Sequence, residues 1–294
     1  MSKSKFFIIF ILLVIVLGVG FWFKEDIEKL SKSFNTSIQE FRIIDVGSVI
    51  SEIGKEVLTS SPLNVGGESN EVVLLKSKIV SETNAQRTAN GLPKFIENKQ
   101  LESAASIKAN DMFKNQYFEH ISPTGINPGI LVENSGYEYI VTGENLILGN
   151  FENEAEVVQD WMNSPGHRAN ILNTSYTEIG VSIIKGVYKG ETVWISVQEF
   201  GLPLSACSEP SKNLKTQIEA QQSEIEFLGE TIDEQKNEID NTNKNSAYYN
   251  NLIDDYNDMV ERYNSLAQEL KITVANYNNQ VNVFNDCVSN AQSK

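Results

Sequence analysis

The chain has 294 residues, of which 24 are basic and 39 acidic, so its formal net charge is −15. This length leaves room for one or two folded domains plus accessory segments, and the acidic balance argues against a nucleic-acid binder, which needs basic groups to neutralise phosphates. The two His and two Cys residues are too few for an iron–sulfur protein or a zinc-finger array. Any imidazole chemistry must therefore use His120, His167 or both.

The N-terminus predicts a membrane anchor. Residues 6–23 are uniformly uncharged and apolar, and Lys3 and Lys5 precede them. Eighteen helical residues span about 27 Å, close to the ~30 Å hydrocarbon core of a bilayer. The positive-inside rule then predicts a single-pass cell-membrane protein with a cytoplasmic N-terminus and an extracytoplasmic bulk. We interpret residues 1–24 as an uncleaved signal anchor, and a cleaved signal peptide is the alternative.

Two segments follow before the central domain. Residues 25–58 carry apolar side chains at steps of three and four, which predicts an amphipathic juxtamembrane helix. Residues 59–70 are small, polar and interrupted by Pro and Gly, so we interpret them as a linker. Nearly all of the acidic excess follows the anchor, which indicates a solvated surface.

The central segment, residues 71–205, predicts helices followed by a β-hairpin. Ser164-Pro165 is a typical helix start and places His167 at the third helical position. Residues 178–187 and 191–200 alternate between apolar and polar side chains around Lys189-Gly190, which is the pattern of a β-hairpin.

The C-terminal segment, residues 206–294, predicts an antiparallel coiled-coil hairpin of two helices. Isoleucines recur every seven residues from Ile218 to Ile239, and a second heptad series runs from Tyr249 to Phe284. Turn-forming residues 241–246 separate the two series. Such a hairpin could bind a partner protein or a second copy of the chain.

The two cysteines lie on either side of that predicted turn, at almost equal distances from it. An antiparallel hairpin would bring Cys207 and Cys287 to the same end, and an extracytoplasmic location permits oxidation. We therefore predict a Cys207–Cys287 disulfide. The alternatives are two free thiols, or a bridge between chains in a parallel coiled coil.

Six short motifs stand in the central segment. They are NAQRTANGLP (84–93), YFEHISPTG (117–125), GENL (143–146), WMNSPGHRANIL (161–172), EIGVSI (178–183) and VWISVQEFG (193–201). In this order they resemble bacterial members of the CAP superfamily, also called SCP-like domains. The resemblance covers about residues 72–202 and implies an α+β fold, an α–β–α sandwich with helices on both sides of a small, mostly antiparallel sheet.

The resemblance also implies a cleft lined by two His and two acidic residues. The matching positions are His120, Glu144 and His167. The second acid has no match, because Ser164 occupies the position where many eukaryotic members carry it. Asp160 and Glu156 are alternative candidates for that role.

Two imidazoles and one carboxylate also match the ligand set of an open zinc site, so His120, His167 and Glu144 are candidate ligands for a divalent metal. A His–Glu pair can equally fix a loop by hydrogen bonding without metal. We assign no catalytic residue, since the sequence has no Gly-x-Ser-x-Gly motif and both cysteines lie outside the domain.

The sequence therefore favours a membrane-anchored extracytoplasmic CAP-domain protein that binds an envelope ligand or partner without turnover. A metal-dependent hydrolase of envelope peptide or glycan is the alternative. A third hypothesis is a purely structural role, in which the domain is a rigid head on an assembly.

Overall fold

The computed structural model describes residues 55–68 and 71–293. The predicted anchor, residues 1–24, and all but the last residues of the predicted juxtamembrane helix lie outside this part of the chain. Among the helices that are described, none has both the length and the apolar character needed to cross a bilayer.

The described chain alternates short strands and helices and then ends in two long helices. The elements in chain order are β1 (Glu56–Thr59), β2 (Leu63–Gly66), α1 (Lys76–Ala89), β3 (Ile96–Glu97), α2 (Lys99–Asn115), α3 (Pro128–Asn134), β4 (Tyr139–Gly149), α4 (Glu154–Asn163), α5 (Pro165–Ile171), β5 (Glu178–Tyr188), β6 (Glu191–Pro203), a 3₁₀ turn (Leu204–Ala206), α6 (Lys212–Asn241) and α7 (Ala247–Gln292).

The strands form one mixed sheet in the order β1-β4-β6-β5-β3, with β2 also pairing β4. Among the three long strands, the central β6 runs antiparallel to both of its neighbours, β4 and β5. The short strands β1 and β2 run parallel to β4, and β3 runs parallel to β5. The predicted hairpin is confirmed as β5 and β6, and Lys189 and Gly190 both take positive φ at its turn.

Helices cover both faces of this sheet, as the predicted sandwich requires. On one face α2 packs against β5 and β6 while α3 packs against α2 and β4; on the other, α1, α4 and α5 pack together. The α1–α4–α5 side contains the larger apolar cluster, in which Trp161 and Ile171 are fully buried. Two smaller clusters lie under α2 and α3.

The structure differs from the sequence interpretation at residues 55–66. Their sequence predicted the end of a helix and a linker, yet Glu56–Thr59 and Leu63–Gly66 are strands on the edge of β4. The sheet edge supplies main-chain hydrogen bonds that the local sequence does not reveal, because pairing of this kind depends little on side chains. We call residues 55–66 the edge strap.

The described residues divide into two compact units. One contains residues up to Pro210 together with Val281–Lys294, and the other contains Ser211–Gln280. The chain therefore passes between the units twice, once after Pro210 and once after Gln280 within α7.

Within the second unit, α6 and α7 run antiparallel. Arg262 Nη2 of α7 donates to Glu224 Oε1 of α6 at 2.6 Å, and Gln235 Nε2 donates to the Leu252 carbonyl at 3.2 Å. The predicted heptad positions Ile218 and Tyr256 are buried. A regular coiled-coil geometry remains a prediction.

The last turns of α7 belong to the first unit, and they are part of its apolar core. Phe284 and Val288 are 1% and 4% exposed and lie in the same cluster as Trp161. The predicted disulfide is present and joins Cys287 to Cys207. The last turns of α7 thus follow the heptad pattern and also form part of the core of the central domain.

Candidate functional site

The site is built around Glu144 on strand β4. Leu146 and Leu148 lie two and four residues after Glu144 on the same strand, and their side chains pack under α2. Because side chains two residues apart on a strand share a face, Glu144 faces the same side of the sheet. The carboxyl group is fully buried, although ionised carboxylates are rarely buried without partners. Neighbouring polar or charged groups must therefore compensate the charge of the Glu144 carboxylate.

A second buried acid, Glu199 of β6, lies directly opposite Glu144 in the antiparallel register. Neither of its carboxyl oxygens meets a hydrogen-bond donor among the described residues. Burial and the Glu144 charge raise the pKa of Glu199 well above its ordinary value. A proton on Glu199 removes the repulsion between two buried carboxylates, as in other close carboxyl pairs.

Sequence reasoning missed Glu199 as the acid beside Glu144 and named Asp160 and Glu156 as candidates for a second acid. Glu156 accepts the Glu152 N–H at 2.6 Å at the start of α4. A signal for Glu199 was available. It follows Val193, Ile195 and Val197 at a period of two, so it is a charged residue on an apolar strand face.

Lys108 of α2 provides positive charge beside this acid pair. Its side chain is buried, and its Nζ donates to the His120 carbonyl at 2.6 Å. Burial lowers the pKa of the ammonium group, while the Glu144 and Glu199 carboxylates act in the opposite direction. Lys108 therefore both compensates the buried acids and fixes the backbone of His120.

His120 lies between Glu144 and the edge strap. Its Nδ1 is 2.5 Å from Glu144 Oε1, and its Nε2 contacts the carbonyl oxygen of Ser60. Both ring nitrogens thus lie against oxygen atoms of the protein. The predicted His120–Glu144 pair is brought together, and Ser60 is a partner that no sequence motif indicated.

His167 is the third residue of α5 and is 1% exposed. Its Nδ1 lies 2.8 Å from Ser164 Oγ, so the Ser164 hydroxyl binds the ring rather than a backbone N–H of the helix start. Burial and the nearby His120 lower the pKa of His167 to about 4. The ring is therefore neutral at physiological pH.

Asn145 fixes the backbone between these groups. It donates from Nδ2 to the His167 carbonyl and to Gln198 Oε1, both at 3.1 Å, and accepts from Asn170 at 2.9 Å. Gln198 in turn donates to Thr83 of α1 at 2.8 Å. Asn145 of the GENL motif is thus structural, and its hydrogen-bond network connects β4 to α5, β6 and α1.

The predicted metal ligands do not fit a metal in this arrangement. Both ring nitrogens of His120 contact oxygen atoms of the protein, so neither is directed at open space where a cation could bind. Across residues 55–68 and 71–293, no three His, Cys, Asp or Glu side chains are grouped so that they could hold a metal ion.

The site opens to solvent through a cleft of about 500 Å³. The buried charged groups of Glu144, Glu199 and Lys108 lie behind this cleft. Its rim is largely neutral, and the Ile121 side chain there is 60% exposed. The lining residues are Val57, Thr59, Glu119, His120, Ile121, Asn127 and Pro128.

Residues 80–200 match the family model described as CAP, cysteine-rich secretory protein family. Together with the helices packed on a mixed sheet, this match identifies the segment as a CAP/SCP domain. The edge strap and the last turns of α7 lie outside the matched residues.

Two curated relatives from Bacillus subtilis (strain 168) share this region. The uncharacterized protein YkwD is 39% identical over 127 residues, which are 43% of this chain and 46% of YkwD. The uncharacterized membrane protein YlbC is 30% identical over 113 residues, 38% of this chain and 32% of YlbC. The chain thus spans less than half the length of either relative.

Solved structures of similar proteins cover the same part of the chain. An extracellular protein containing a SCP domain from Bacillus anthracis str. Ames has 31% identity and a TM-score of 0.37, covering 43% of this chain and 39% of that one. An outer surface protein from Borrelia burgdorferi has 23% identity and a TM-score of 0.37, covering 43% of this chain and 91% of that one.

Proposed function

We propose that this protein is an extracytoplasmic, membrane-anchored binding module that recognises a cell-envelope ligand or partner through the cleft beside His120, without turnover. The apolar run 6–23 would hold it on the membrane. The relative described as a membrane protein supports that placement. The antiparallel helices α6 and α7 would serve as a spacer or as a surface for a partner or a second copy.

The observation that carries this proposal is the contrast between the rear and the rim of the cleft. At the rear, His120, Glu144 and Lys108 already make hydrogen bonds to protein atoms or face one another's charges. At the rim, Ile121 and its neighbours offer accessible surface. A ligand can bind there by apolar contact and by a few polar groups without any change in the buried charges.

The alternative, a metal-dependent hydrolase, has less support. It requires His120 to exchange its contact with Ser60 for a metal ion, and a base whose partners leave it free to take a proton. Zinc titration of the full chain by calorimetry tests this alternative. Stoichiometric binding that is lost in His120→Ala plus His167→Ala would favour it over the binding module.

The binding proposal is tested with the full chain in detergent micelles and with peptide and glycan fragments released from isolated bacterial envelopes. We expect saturable binding, with fragments recovered chemically intact. Ile121→Asp should weaken binding at least tenfold because it places a charge on the apolar rim.

Ile107→Asp is the matched control. Ile107 is also an exposed isoleucine, 50% accessible, but it lies on α2 and does not line the cleft. Equal binding by wild type and both variants would contradict the proposed cleft, and recovery of cleaved fragments would contradict binding without turnover.

A further inference from the structure

The edge strap lies across the site rather than beside it. Residues 56–59 pair with 141–144 of β4, and 63–66 pair with 147–149. The intervening residues Ser60–Pro62 therefore pass the edge of β4 beside Asn145 and Leu146. At that point the strap contacts His120 on one side of the sheet and approaches α5 on the other.

Two glycines make the close approach of the strap possible. A β-carbon on Gly166 of α5 would lie 2.6 Å from Ser60 Cβ. A β-carbon on Gly149 of β4 would lie 2.5 Å from Val65 Cγ2 and 2.7 Å from the Gly66 carbonyl. Any larger side chain at either position would displace the strap, so together they form a groove shaped for an extended chain.

The strap is held mainly by its backbone. Across residues 55–66 every side chain is half-buried or exposed. Leu58 and Leu63 pack partly against the large apolar cluster, and Val57 packs partly against a smaller one. Main-chain pairing to a sheet edge, with a few side chains in shallow pockets, is how proteins bind an extended peptide as an added strand.

From this geometry we infer that the edge of β4 between His120 and Gly166 is a binding groove for an extended polypeptide strand, which the strap occupies in cis. The partner in trans is an extended strand of another polypeptide. It places a small residue between His120 and Gly166, as Ser60 does, and it carries aliphatic residues two positions before and three positions after that small residue, as at Leu58 and Leu63. A competing strand displaces the strap and exposes the His120 ring.

This inference rests on the proposed function only in treating the site as a binding surface. The occupant of the groove is a polypeptide strand along the sheet edge, whereas the envelope ligand would lie against the rim of the cleft. The two can fail separately, because different probes report on them.

The experiment uses the full chain with a protease site inserted between Gly67 and Glu68. After cleavage, the chain is held by a C-terminal tag, washed, and incubated with fluorescein-labelled KEVLTSSPLNVG, the sequence of residues 55–66. We expect saturable binding by fluorescence anisotropy. The uncut chain should bind at least tenfold more weakly, because its own strap competes at a high effective concentration.

Peptide variants keep the test independent of folding. A peptide carrying Ser60→Trp should lose at least tenfold in affinity, because the space between His120 and Gly166 admits only a small side chain. A peptide carrying Ser61→Ala should bind unchanged, since Ser61 is exposed. Gly166→Ala in the cut chain should also weaken binding at least tenfold.

Three results would overturn the inference. The first is no saturable binding of the peptide to the cut chain, and the second is equal affinity of the peptide for the cut and uncut chains. The third is a Ser60→Trp peptide that binds the cut chain as tightly as the unchanged peptide. If the KEVLTSSPLNVG peptide binds as expected while envelope fragments do not, the groove stands and the proposed function fails. The reverse result would retain the function and remove the groove.

Discussion

The edge strap and the last turns of α7 both pack on the CAP domain from outside the matched residues 80–200, but they are held differently. The strap pairs its backbone with β4 and leaves all its side chains at least partly accessible. The end of α7 instead buries Phe284 and Val288 in the core and is joined by the Cys207–Cys287 disulfide. Burial of apolar side chains and a covalent link make a permanent element, whereas main-chain pairing makes one that can be exchanged.

The difference has a consequence for the site. The α7 end lies in the apolar cluster with Trp161, and none of its residues lines the cleft. The strap contacts His120 directly. The extension that stabilises the domain and the one that contacts the candidate site are thus held by different interactions.

The largest expected effect comes from the covalent link. Replacing Cys207 and Cys287 by Ser should lower the free energy of unfolding of the CAP unit by about 4.5 kcal/mol, the chain-entropy value for a loop of this length. Denaturant unfolding followed by fluorescence, in which Trp161 and Trp194 report on this unit, measures it. A midpoint equal to that of the oxidised wild type would show that buried side chains alone hold the α7 end.

Next is the apolar contact itself. Phe284→Ala should cost about 3–5 kcal/mol, because it removes a fully buried aromatic ring and leaves a cavity. The matched control is Val283→Ala, one residue earlier and 58% exposed, which should change stability by less than about 0.5 kcal/mol. Similar losses in the two variants would contradict the core position of the α7 end.

The carboxyl pair behind the strap predicts a pH dependence. Because Glu199 is protonated in the folded protein above the ordinary Glu pKa of 4.5, the wild type loses stability as the pH rises through this range. Glu199→Gln removes that loss. Its stability advantage over wild type should grow, by at most about 1.4 kcal/mol per pH unit, as the pH rises above the ordinary Glu pKa. An advantage that does not change with pH would mean that Glu199 is ionised in the folded state.

His167 contributes with the opposite sign. Its pKa is lowered from 6.5 to about 4, so the unfolded chain binds a proton that the folded chain does not. Stability from this group is therefore lost as the pH falls from about 6.5 to 4. His167→Gln should flatten the acid side of the unfolding curve by up to about 3 kcal/mol across that range. An unchanged acid limb would show that His167 does not stay neutral.

The smallest effect is expected in the strap. Leu58→Ala should cost about 1 kcal/mol, because Leu58 is half-buried and loses only part of its apolar contact. Hydrogen exchange provides a second measurement: amides of β1 and β2 should exchange much faster than those of residues 281–288 in α7. Equal protection of the two regions would remove the contrast between an exchangeable and a permanent element.

The sequence by itself determined the elements whose pattern is local. The β5–β6 hairpin follows from two alternating runs around Lys189-Gly190, and α6 and α7 follow from heptad series. The disulfide follows from the equal spacing of two cysteines about a turn. The motifs also predicted that His120 and Glu144 lie together, because residues at matching positions of a shared fold have the same neighbours.

Only the tertiary structure decided the remaining features. Glu199 and Lys108 join the site through strand register and helix packing between distant segments, which no local periodicity encodes. The edge strap is a strand because β4 offers it unpaired N–H and C=O groups, and nearly any extended backbone can meet that requirement. Its sequence carries the signature of a linker, and its position against His120 comes from the sheet edge and from the space left by Gly166.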